Sequence, residues 1–287
     1  MISILVTAFK EQKTIGRAIE SILNQKVNNS EILVSAPDDE TITEAKKYSK
    51  NKVQVFKDSG EGKPNALNML VKKSRGDLLV LTDGDVFTDS NSINNLLRHF
   101  KDKKVGSVSS RVVSINGRKN MFGFWSEILT SINHIQRLRH KGDTICSGYL
   151  YAVRRELFPN LPKNTLAEDA LASLNVIDKG YKSVYEPSSL VFVKYPTNLP
   201  DWISQKKRTA GRVYQMSSKS NTNKLRRLKE EVSAGIFSLR EVESVHEFIW
   251  LISLFVMRSY IWVRILLDFR LWNRNYRKVW ERVESTK

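Results

Sequence analysis

Two aspartates separated by a single glycine, Asp83 and Asp85, are the first candidates for chemistry in the sequence. They follow directly on the apolar segment 77–81, which predicts that both carboxylates lie at the end of a strand. Neighbouring acids repel each other unless a cation lies between them. A hard divalent ion, Mg²⁺ or Mn²⁺, takes oxygen ligands and is commonly shared with substrate phosphates. The same residue types also form ordinary solvated turns, so the pattern alone leaves both interpretations open.

A glycine-bearing turn at residues 58–62 leads into Lys63 and Pro64, which are predicted to begin a helix. Helix N-termini and neighbouring lysines attract phosphate groups. A flexible loop before a normal helix start explains the same residues equally well.

A second pair of acids, Glu168 and Asp169, precedes a segment with apolar residues at helical spacing. Acids in a first helical turn are often only complements to the helix dipole. If this helix start faces the substrate, one carboxylate is placed to deprotonate an acceptor hydroxyl.

Trp202, Gln205, Arg208 and Arg212 recur at intervals of three or four residues, so they can share one face of a helix. A solvated basic face is the simplest explanation. Arginines directed at a departing diphosphate would instead stabilise the charge that develops in the transition state.

These residues need a scaffold, and the first two thirds of the chain supplies one by alternating strand and helix patterns. Such alternation predicts an α/β fold with a mostly parallel sheet, helices on both faces and ligands beyond the carboxyl ends of the strands. After about residue 200 only helical patterns remain, with breaks near 217–223 and around Asn273. The predicted strands are 2–8, 31–35, 52–56 and 77–81. Three helices are predicted between them: one that begins after Thr14 as its cap, one over 41–49 and one over 64–73.

The formal charge of +17 over 287 residues calls for a negatively charged partner, and basic residues crowd the last third of the chain. Nucleic acid, an anionic membrane surface and a phosphorylated substrate all meet that requirement. The single cysteine, Cys146, cannot form an internal disulfide, and no basic leader precedes the first apolar segment. Both observations favour the cytoplasm.

Taken in order, the motifs resemble the family 2 inverting glycosyltransferases, particularly the branch with the cellulose, hyaluronan and poly-N-acetylglucosamine synthases. The resemblance covers about residues 1–215 and implies a GT-A fold, with 216–287 as a basic helical extension. The motifs are Thr7-Ala-Phe-Lys-Glu11, Gly62-Lys-Pro-Asn-Ala-Leu-Asn68, Asp83-Gly-Asp85, Cys146-Ser-Gly148, Glu168-Asp169 and Gln205-Lys-Lys-Arg208.

The resemblance also implies roles for these residues in transfer from a nucleotide-diphosphate sugar. Asp85, with Asp83, would bind Mg²⁺ or Mn²⁺, and Asp169, beside Glu168, would be the general base of a single displacement with inversion. The nucleotide sugar would contact Ala8, Phe9, Glu11, Lys63, Asp83 and Asp85, and the diphosphate and acceptor would contact Ser147, Gly148, Gln205, Arg208 and Arg212.

The sequence departs from that branch at two positions. Ala36 stands where many relatives place an aspartate that recognises uracil, so a uridine diphosphate sugar is only the favoured donor among several. Thr209 stands in place of the tryptophan that follows the arginine, which argues against processive polymerisation.

Residues 248–267 are long and apolar enough to reach across a bilayer, but Arg258 lies near their middle and both flanks are basic. We therefore expect a helix at the membrane interface, with Trp250, Trp262 and Trp272 near the boundary. The alternative is a buried helix. The expected acceptor is a glycan or a lipid-linked sugar at the cytoplasmic face of the cell membrane, with an anionic lipid surface and a membrane protein as candidate partners.

Two other functions compete with this one. A sugar nucleotidyltransferase shares the alternating start and the metal carboxylates, but it normally carries a glycine-rich signature after the first strand, which residues 7–11 lack. A nucleic-acid-binding protein would use the basic third against phosphates but would leave both carboxylate pairs idle, which makes nucleic acid the less favoured partner.

Overall fold

The computed structural model of the protein describes residues 1–140, 142–163, 165–217, 238–270 and 284–286. Its chain forms two compact units. The first consists of Met1–Val113 and Arg137–Val193, and the second of Ser114–Gln136 and Lys194–Thr286. These limits differ from the boundary at residues 215 and 216, which stays a prediction.

The first unit follows the predicted alternation of strands and helices. The predicted strand segments all become strands. The elements are β1 (Ile2–Thr7), α1 (Ile15–Leu23), β2 (Ser30–Ala36), α2 (Asp39–Lys46), β3 (Val53–Lys57), α3 (Lys63–Lys73), β4 (Leu78–Asp83), β5 (Phe87–Thr88), α4 (Ser92–Leu97), β6 (Val105–Ser114), β7 (Leu150–Arg154), α6 (Glu168–Asp178) and β8 (Lys182–Val193). β1, β2 and β4 are buried on both faces, as expected for strands inside a sheet covered by helices, whereas the edge strand β3 is partly exposed.

The strands form one eight-stranded mixed sheet in the order β3-β2-β1-β4-β7-β6-β8-β5. The four strands β3, β2, β1 and β4 are parallel, so their carboxyl ends meet at one edge. β7 runs antiparallel to β4, which brings the beginning of β7 to that same edge. The predicted α/β class is thereby confirmed. The sheet is mixed: β7 is antiparallel to both β4 and β6, and β5 is antiparallel to β8, so only the half formed by β3, β2, β1 and β4 is parallel throughout.

An apolar core joins the central strands to α3 and α6. It includes Leu5 from β1, Leu33 from β2, Leu70 from α3 and Val176 from α6, none of which is measurably exposed. Burying one such side chain contributes about 1.5–3 kcal/mol, so this core fixes the helix starts relative to the strand ends.

One local prediction about a helix start was wrong. Thr14 does occupy the position before α1, but its side chain makes no cap hydrogen bond to the helix. Its hydroxyl donates instead to the carbonyl of Glu11 at 3.3 Å. The backbone of Glu11 also accepts from the amides of Thr14 and Ile15, so a turn begins the helix where a capping side chain was expected.

The second unit is built from helices: most of α5 (Met121–Arg139), α7 (Leu199–Ser217) and α8 (Val245–Arg270). Their shared core contains Trp125, whose ring centroid lies 4.8 Å from that of Trp202, together with Leu251 and Leu254 of α8. Among the described residues, no helix is both long and apolar enough to cross a membrane.

α8 corrects one prediction about the tryptophans. Trp250, expected at the membrane boundary, packs on the core of the second unit, its ring centroid 6.0 Å from that of Phe124. The carbonyl of Trp250 also accepts a hydrogen bond from Trp125 Nε1 at 2.7 Å. Trp272 and both predicted helix breaks lie mostly or wholly outside the described residues.

Candidate active site

The carboxyl ends of β1, β2 and β4 place the first set of predicted residues side by side. Thr7 at the end of β1 is in register with Ser35 of β2 and with Asp83 of β4. The Thr7 hydroxyl donates to Asp83 Oδ1 at 3.2 Å. In a parallel sheet this edge is where ligands bind, because the loops leaving the strands diverge there.

Gly84 lets the Asp83-Gly84-Asp85 turn lie against the end of β1. Its amide donates to the carbonyl of Thr7 at 2.9 Å. A Cβ at this position would lie 2.5 Å from Glu11 Oε2 and 2.8 Å from the Ala8 Cβ, closer than real contacts allow. Glu11 therefore packs directly against the glycine between the two aspartates.

Lys63 joins the two acidic motifs. Its Nζ lies 2.6 Å from Asp83 Oδ1 and 2.7 Å from Glu168 Oε1, and both carboxylates are largely buried. Burial alone would lower the pKa of Lys63, but Asp83 and Glu168 outweigh it and raise that pKa. Lys63 is thus a permanent cation that holds the end of β4 to the start of α6.

The site nevertheless carries more negative than positive charge. Burial raises the pKa of Asp83, and the positive charge of Lys63 lowers it. The negative charges of Asp85 and Glu168 also raise it, so the pKa of Asp83 lies above its ordinary value. A carboxylate in such surroundings gains from a further cation.

Ser147 and Gly148 reach the site because β7 is antiparallel to β4. Thr82 of β4 is in register with Leu150, and its hydroxyl donates to the carbonyl of Tyr149 at 2.8 Å. A Cβ at Gly148 would lie 3.1 Å from Asp169 Oδ2 and 3.5 Å from Glu168 Oε1, so the glycine backbone packs directly against both acids.

α6 presents Glu168 and Asp169 in its first turn, and both are buried although they are charged residue types. Ser173, one turn further along, accepts from the amide of Cys146 at 2.9 Å and donates to the carbonyl of Asp169 at 2.7 Å. These bonds hold the helix start beside the segment before β7. Burial of two acids at one helix start exceeds what a simple dipole complement requires.

Residues 8–10 continue from β1 along the same edge. Ala8 is buried, whereas the Phe9 side chain is 49% exposed. Lys10 has a φ of 52°, and its amide donates to Asp38 Oδ2 at 2.7 Å. Asp38 also accepts from the Thr41 amide at 3.0 Å and so caps α2.

Two aspartates at this edge were missed as site residues from the sequence. Asp38 follows β2 and Asp58 follows β3; Asp58 Oδ2 accepts from the Ser35 hydroxyl at 2.5 Å, and Oδ1 accepts from the Gly60 amide at 2.8 Å. Their position directly after two parallel strands was the available signal. They lie near Ala36, where an acidic residue was judged absent.

Tyr151 was also missed. Its side chain lies on β7 in the buried core, and its hydroxyl has no hydrogen-bond partner within the described part of the chain. Burial, followed by the charges of Glu168 and Asp169, raises the pKa of this hydroxyl. In the sequence, Tyr151 stands among apolar residues of a strand, where an aromatic side chain is an ordinary core residue, so nothing indicated a role in the site.

Comparison with known proteins identifies the family of this chain. The profile described as "Glycosyltransferase like family 2" matches residues 1–211, which include the motifs from Thr7–Glu11 to Gln205–Arg208. The chain belongs to that family.

Curated relatives of this glycosyltransferase agree. Poly-beta-1,6-N-acetyl-D-glucosamine synthase of Staphylococcus aureus (strain COL) is 25% identical over 222 residues, covering 73% of this chain and 53% of the relative. Probable glycosyltransferase YdaM of Bacillus subtilis is 25% identical over 227 residues, covering 73% and 54%. The chain thus spans about half the length of the curated relatives it matches.

Solved structures confirm the GT-A fold of the glycosyltransferase. The mannosyltransferase PcManGT of Pyrobaculum calidifontis, in complex with GDP-Man and Mn²⁺, has a TM-score of 0.61 at 16% identity, over 97% of this chain and 84% of that one. TarS 1–349 of S. aureus, in complex with UDP-GlcNAc, has a TM-score of 0.52 at 15% identity, over 94% and 91%.

The remaining predicted residues of the glycosyltransferase lie in its second unit, on α7. Gln205 is buried, and its Oε1 finds no hydrogen-bond partner among the described residues. Arg208 is partly exposed, and Arg212 belongs to the same helix. Their contact with a diphosphate stays a prediction.

The oxygen atoms at this edge of the sheet suit a divalent metal that is shared with a phosphate-bearing ligand. No group of three or more His, Cys, Asp or Glu that could hold an ion by itself occurs within the described ranges. Asp83 and Asp85 offer hard carboxylate oxygens, and Mg²⁺ and Mn²⁺ typically complete such a set with water and substrate phosphates. The residues present therefore fit a metal that binds together with a diphosphate.

Proposed function

We propose that this protein transfers a hexose from a nucleotide-diphosphate sugar to a hydroxyl group of a glycan or lipid-linked acceptor, with inversion at the anomeric carbon. The observation that carries the proposal is the bridge from Asp83 to Glu168 through Lys63, at 2.6 and 2.7 Å. It brings the donor carboxylates after β4 and the acids of α6 into one site.

The strand ends provide the donor side of the proposed site. Ala8, Phe9, Asp38 and Asp58 line the edge that the nucleoside would occupy, with uridine as the favoured base. Asp85, with Asp83, would hold Mg²⁺ or Mn²⁺. When bound, that ion neutralises charge on the departing diphosphate.

Lys63 contributes its positive charge to the same site. Its ammonium lies between carboxylates, so its charge offsets theirs and reduces their repulsion of an incoming diphosphate. The arginines of α7, Arg208 and Arg212, are the candidates for further contacts with the leaving group.

Asp169 is the proposed general base. Its Oδ2 would lie only 3.1 Å from a Cβ at Gly148, so the glycine lets the backbone after Ser147 approach this carboxylate, and the acceptor hydroxyl would bind at this point. The acceptor oxygen attacks the anomeric carbon while the bond to the diphosphate oxygen breaks. Asp169 takes the hydroxyl proton, and the nucleoside diphosphate departs with the bonding electron pair.

The relatives support the choice of donor class. Two similar structures are complexes with GDP-Man and Mn²⁺ and with UDP-GlcNAc. Both are nucleotide-diphosphate sugars, although their bases and sugars differ. The donor class is therefore proposed for this chain, and the particular base is left to experiment.

Thermal unfolding with UDP, GDP, CDP and dTDP, each with and without Mn²⁺, tests the donor site. We expect one nucleotide to raise the Tm of the wild type in a metal-dependent way and to lose this effect in Asp85→Asn. No shift with any nucleotide, or an equal shift in Asp85→Asn, would contradict the proposed site.

Asp169→Asn tests the base. We expect transfer to fall at least 100-fold, the lower range for removal of a general base, while the metal-dependent nucleotide shift is retained. Asp178→Asn is the matched control, because Asp178 is exposed at the opposite end of the same helix. Full transfer by Asp169→Asn would exclude the assigned role.

A further inference from the structure

One face of α8 is apolar and exposed over most of its length. Ile249, Ile252 and Val256 are 56%, 50% and 61% exposed, and Phe248, Phe255 and Val263 extend the same row. Phe248, Ile249, Phe255 and Val256 each lie three or four residues from Ile252, and Val263 lies seven residues, or two turns, after Val256, which places them on a single side of the helix. From residue 248 to 263 this exposed stripe runs about 22 Å at 1.5 Å per residue.

The opposite side of α8 already has a partner within the second unit. Leu251, Leu254 and Ile261 are almost fully buried in the core shared with Trp125 and Trp202. Packing within this unit therefore explains why one face of the helix is apolar, but it does not explain the apolar residues of the exposed stripe.

The charged residue of the helix centre also lies away from the exposed stripe. Arg258 is close enough to Lys206 of α7 to act on it electrostatically: burial, followed by the charge of Arg258, lowers the pKa of Lys206 to about 7. Arg258 follows Leu254 by four residues and precedes Ile261 by three, so it shares the side of the helix on which these buried residues lie. An apolar surface in contact with the exposed stripe would not have to accommodate this arginine.

The surrounding sequence is strongly basic. Residues 194–287 contain 19 Lys and Arg against 9 Asp and Glu, whereas residues 1–193 contain 28 against 21. An apolar helix face within a basic segment matches a surface that combines acyl chains with anionic headgroups. Pairing of two copies through the same stripe would instead bring two basic segments together.

We propose that α8 docks its exposed stripe on the anionic lipid surface of the cytoplasmic leaflet, lying in the interface plane. The helix inserts Ile252, Val256 and their neighbours among the lipid headgroups and acyl chains, while its buried face stays on the second unit. Docking would hold the enzyme where lipid-linked acceptors are found. It does not depend on sugar transfer, so the two can be tested separately.

Co-sedimentation of the full chain with vesicles tests the docking without any nucleotide sugar. We expect binding to vesicles of phosphatidylcholine with 30% phosphatidylglycerol, and at least tenfold weaker binding to phosphatidylcholine alone. Ile252→Glu should weaken binding to the anionic vesicles at least tenfold. Leu138→Glu is the matched control, because Leu138 is 52% exposed, like Ile252, but lies at the end of α5.

Three results would overturn the proposal. They are unchanged vesicle binding by Ile252→Glu, equal binding to both vesicle types, and a dimer of the wild type that Ile252→Glu converts to a monomer without any vesicle binding. Val256→Glu serves as a second variant if Ile252→Glu does not fold. Retention of the metal-dependent nucleotide shift in either variant shows that a loss of docking is separate from a loss of the donor site.

Discussion

At the scale of single residues, Lys63 has the largest influence on the site. It was expected to approach phosphate from a helix start, and it does begin α3, but its ammonium contacts Asp83 and Glu168. Removing one member of a buried charged group leaves the others uncompensated, which costs about 3–5 kcal/mol.

Lys63→Met should therefore lower the free energy of unfolding at pH 7 by about 3 kcal/mol, measured by urea denaturation. The loss should shrink as the pH falls, because the pKa of Asp83 is raised and its protonation then removes uncompensated charge. Mn²⁺ with nucleotide should restore part of the stability, since a cation returns to the same carboxylates.

Lys57→Met is the control for that experiment. Lys57 Nζ also lies 2.7 Å from a carboxylate, that of Asp39, but both side chains are mostly exposed. Exposed pairs contribute at most about 1 kcal/mol, so this variant should be nearly as stable as the wild type. Equal effects of the two variants would show that burial does not decide the strength of the Lys63 bridge.

At the scale of elements, Glu186 fastens β8 to the turn of 3-10 helix that follows α4. Its Oε2 accepts from Arg98 at 2.6 Å and lies 2.5 Å from His99 Nε2, while Oε1 accepts from the Ser188 hydroxyl at 2.6 Å. Burial by itself raises the pKa of Glu186, but the bonds from Ser188, His99 and Arg98 lower it, from an ordinary 4.5 to about 2.

The pH dependence of this attachment follows from that lowered pKa. A carboxylate whose pKa is lower in the folded state stabilises the fold above its ordinary pKa, and the contribution disappears as the pH falls toward the folded value. Thermal unfolding between pH 7 and pH 2 should show wild-type stability falling below about pH 4.5. The Glu186→Gln variant should be less stable than the wild type at pH 7, and its stability should depend less on pH over the acid range.

Glu156→Gln is the control for the acid range, because Glu156 is exposed in the short turn after β7. It should keep the wild-type profile. A wild-type profile for Glu186→Gln as well would show that other groups are responsible for the acid transition.

At the scale of the whole molecule, the charge of +17 has to be separated from the chemistry of the site. A basic surface binds any polyanion, and such binding weakens steeply with salt because counterions are released. A nucleotide held by partly buried carboxylates and a shared metal is screened much less. Salt therefore distinguishes the two kinds of binding.

Affinity for single-stranded DNA of arbitrary sequence should fall at least tenfold between 50 and 200 mM salt, as for a protein with several phosphate contacts, and should not change in Asp85→Asn. The Mn²⁺-dependent nucleotide shift should persist at the higher salt and disappear in Asp85→Asn. DNA affinity that resists salt, together with no nucleotide shift, would favour the nucleic-acid-binding alternative.

Local features of the sequence were sufficient for the fold class and for most of the motif positions. Apolar periodicity depends on neighbouring residues only, and it predicted β1, β2, β3, β4 and α3 to within two residues of their observed bounds. The order of the parallel strands then implied that Asp83 and Asp85 would lie at a ligand-binding edge. The family profile confirmed the resemblance that these motifs suggested.

Tertiary structure alone decided which of these residues meet. Lys63 and Glu168 are separated by 105 positions. Their contact depends on the antiparallel pairing that brings the segment before β7 to the end of β4, and on the Cys146–Ser173 hydrogen bond that holds α6 beside that segment. Asp38 and Asp58 follow two parallel strands, which is a signal in the sequence, but their hydrogen bonds to the Lys10 amide and the Ser35 hydroxyl are set by the tertiary structure. The rotation of α8, with Trp250 inward and Ile252 outward, was likewise set by packing. A helix with apolar residues on most sides does not specify which face is buried until its neighbours are in place.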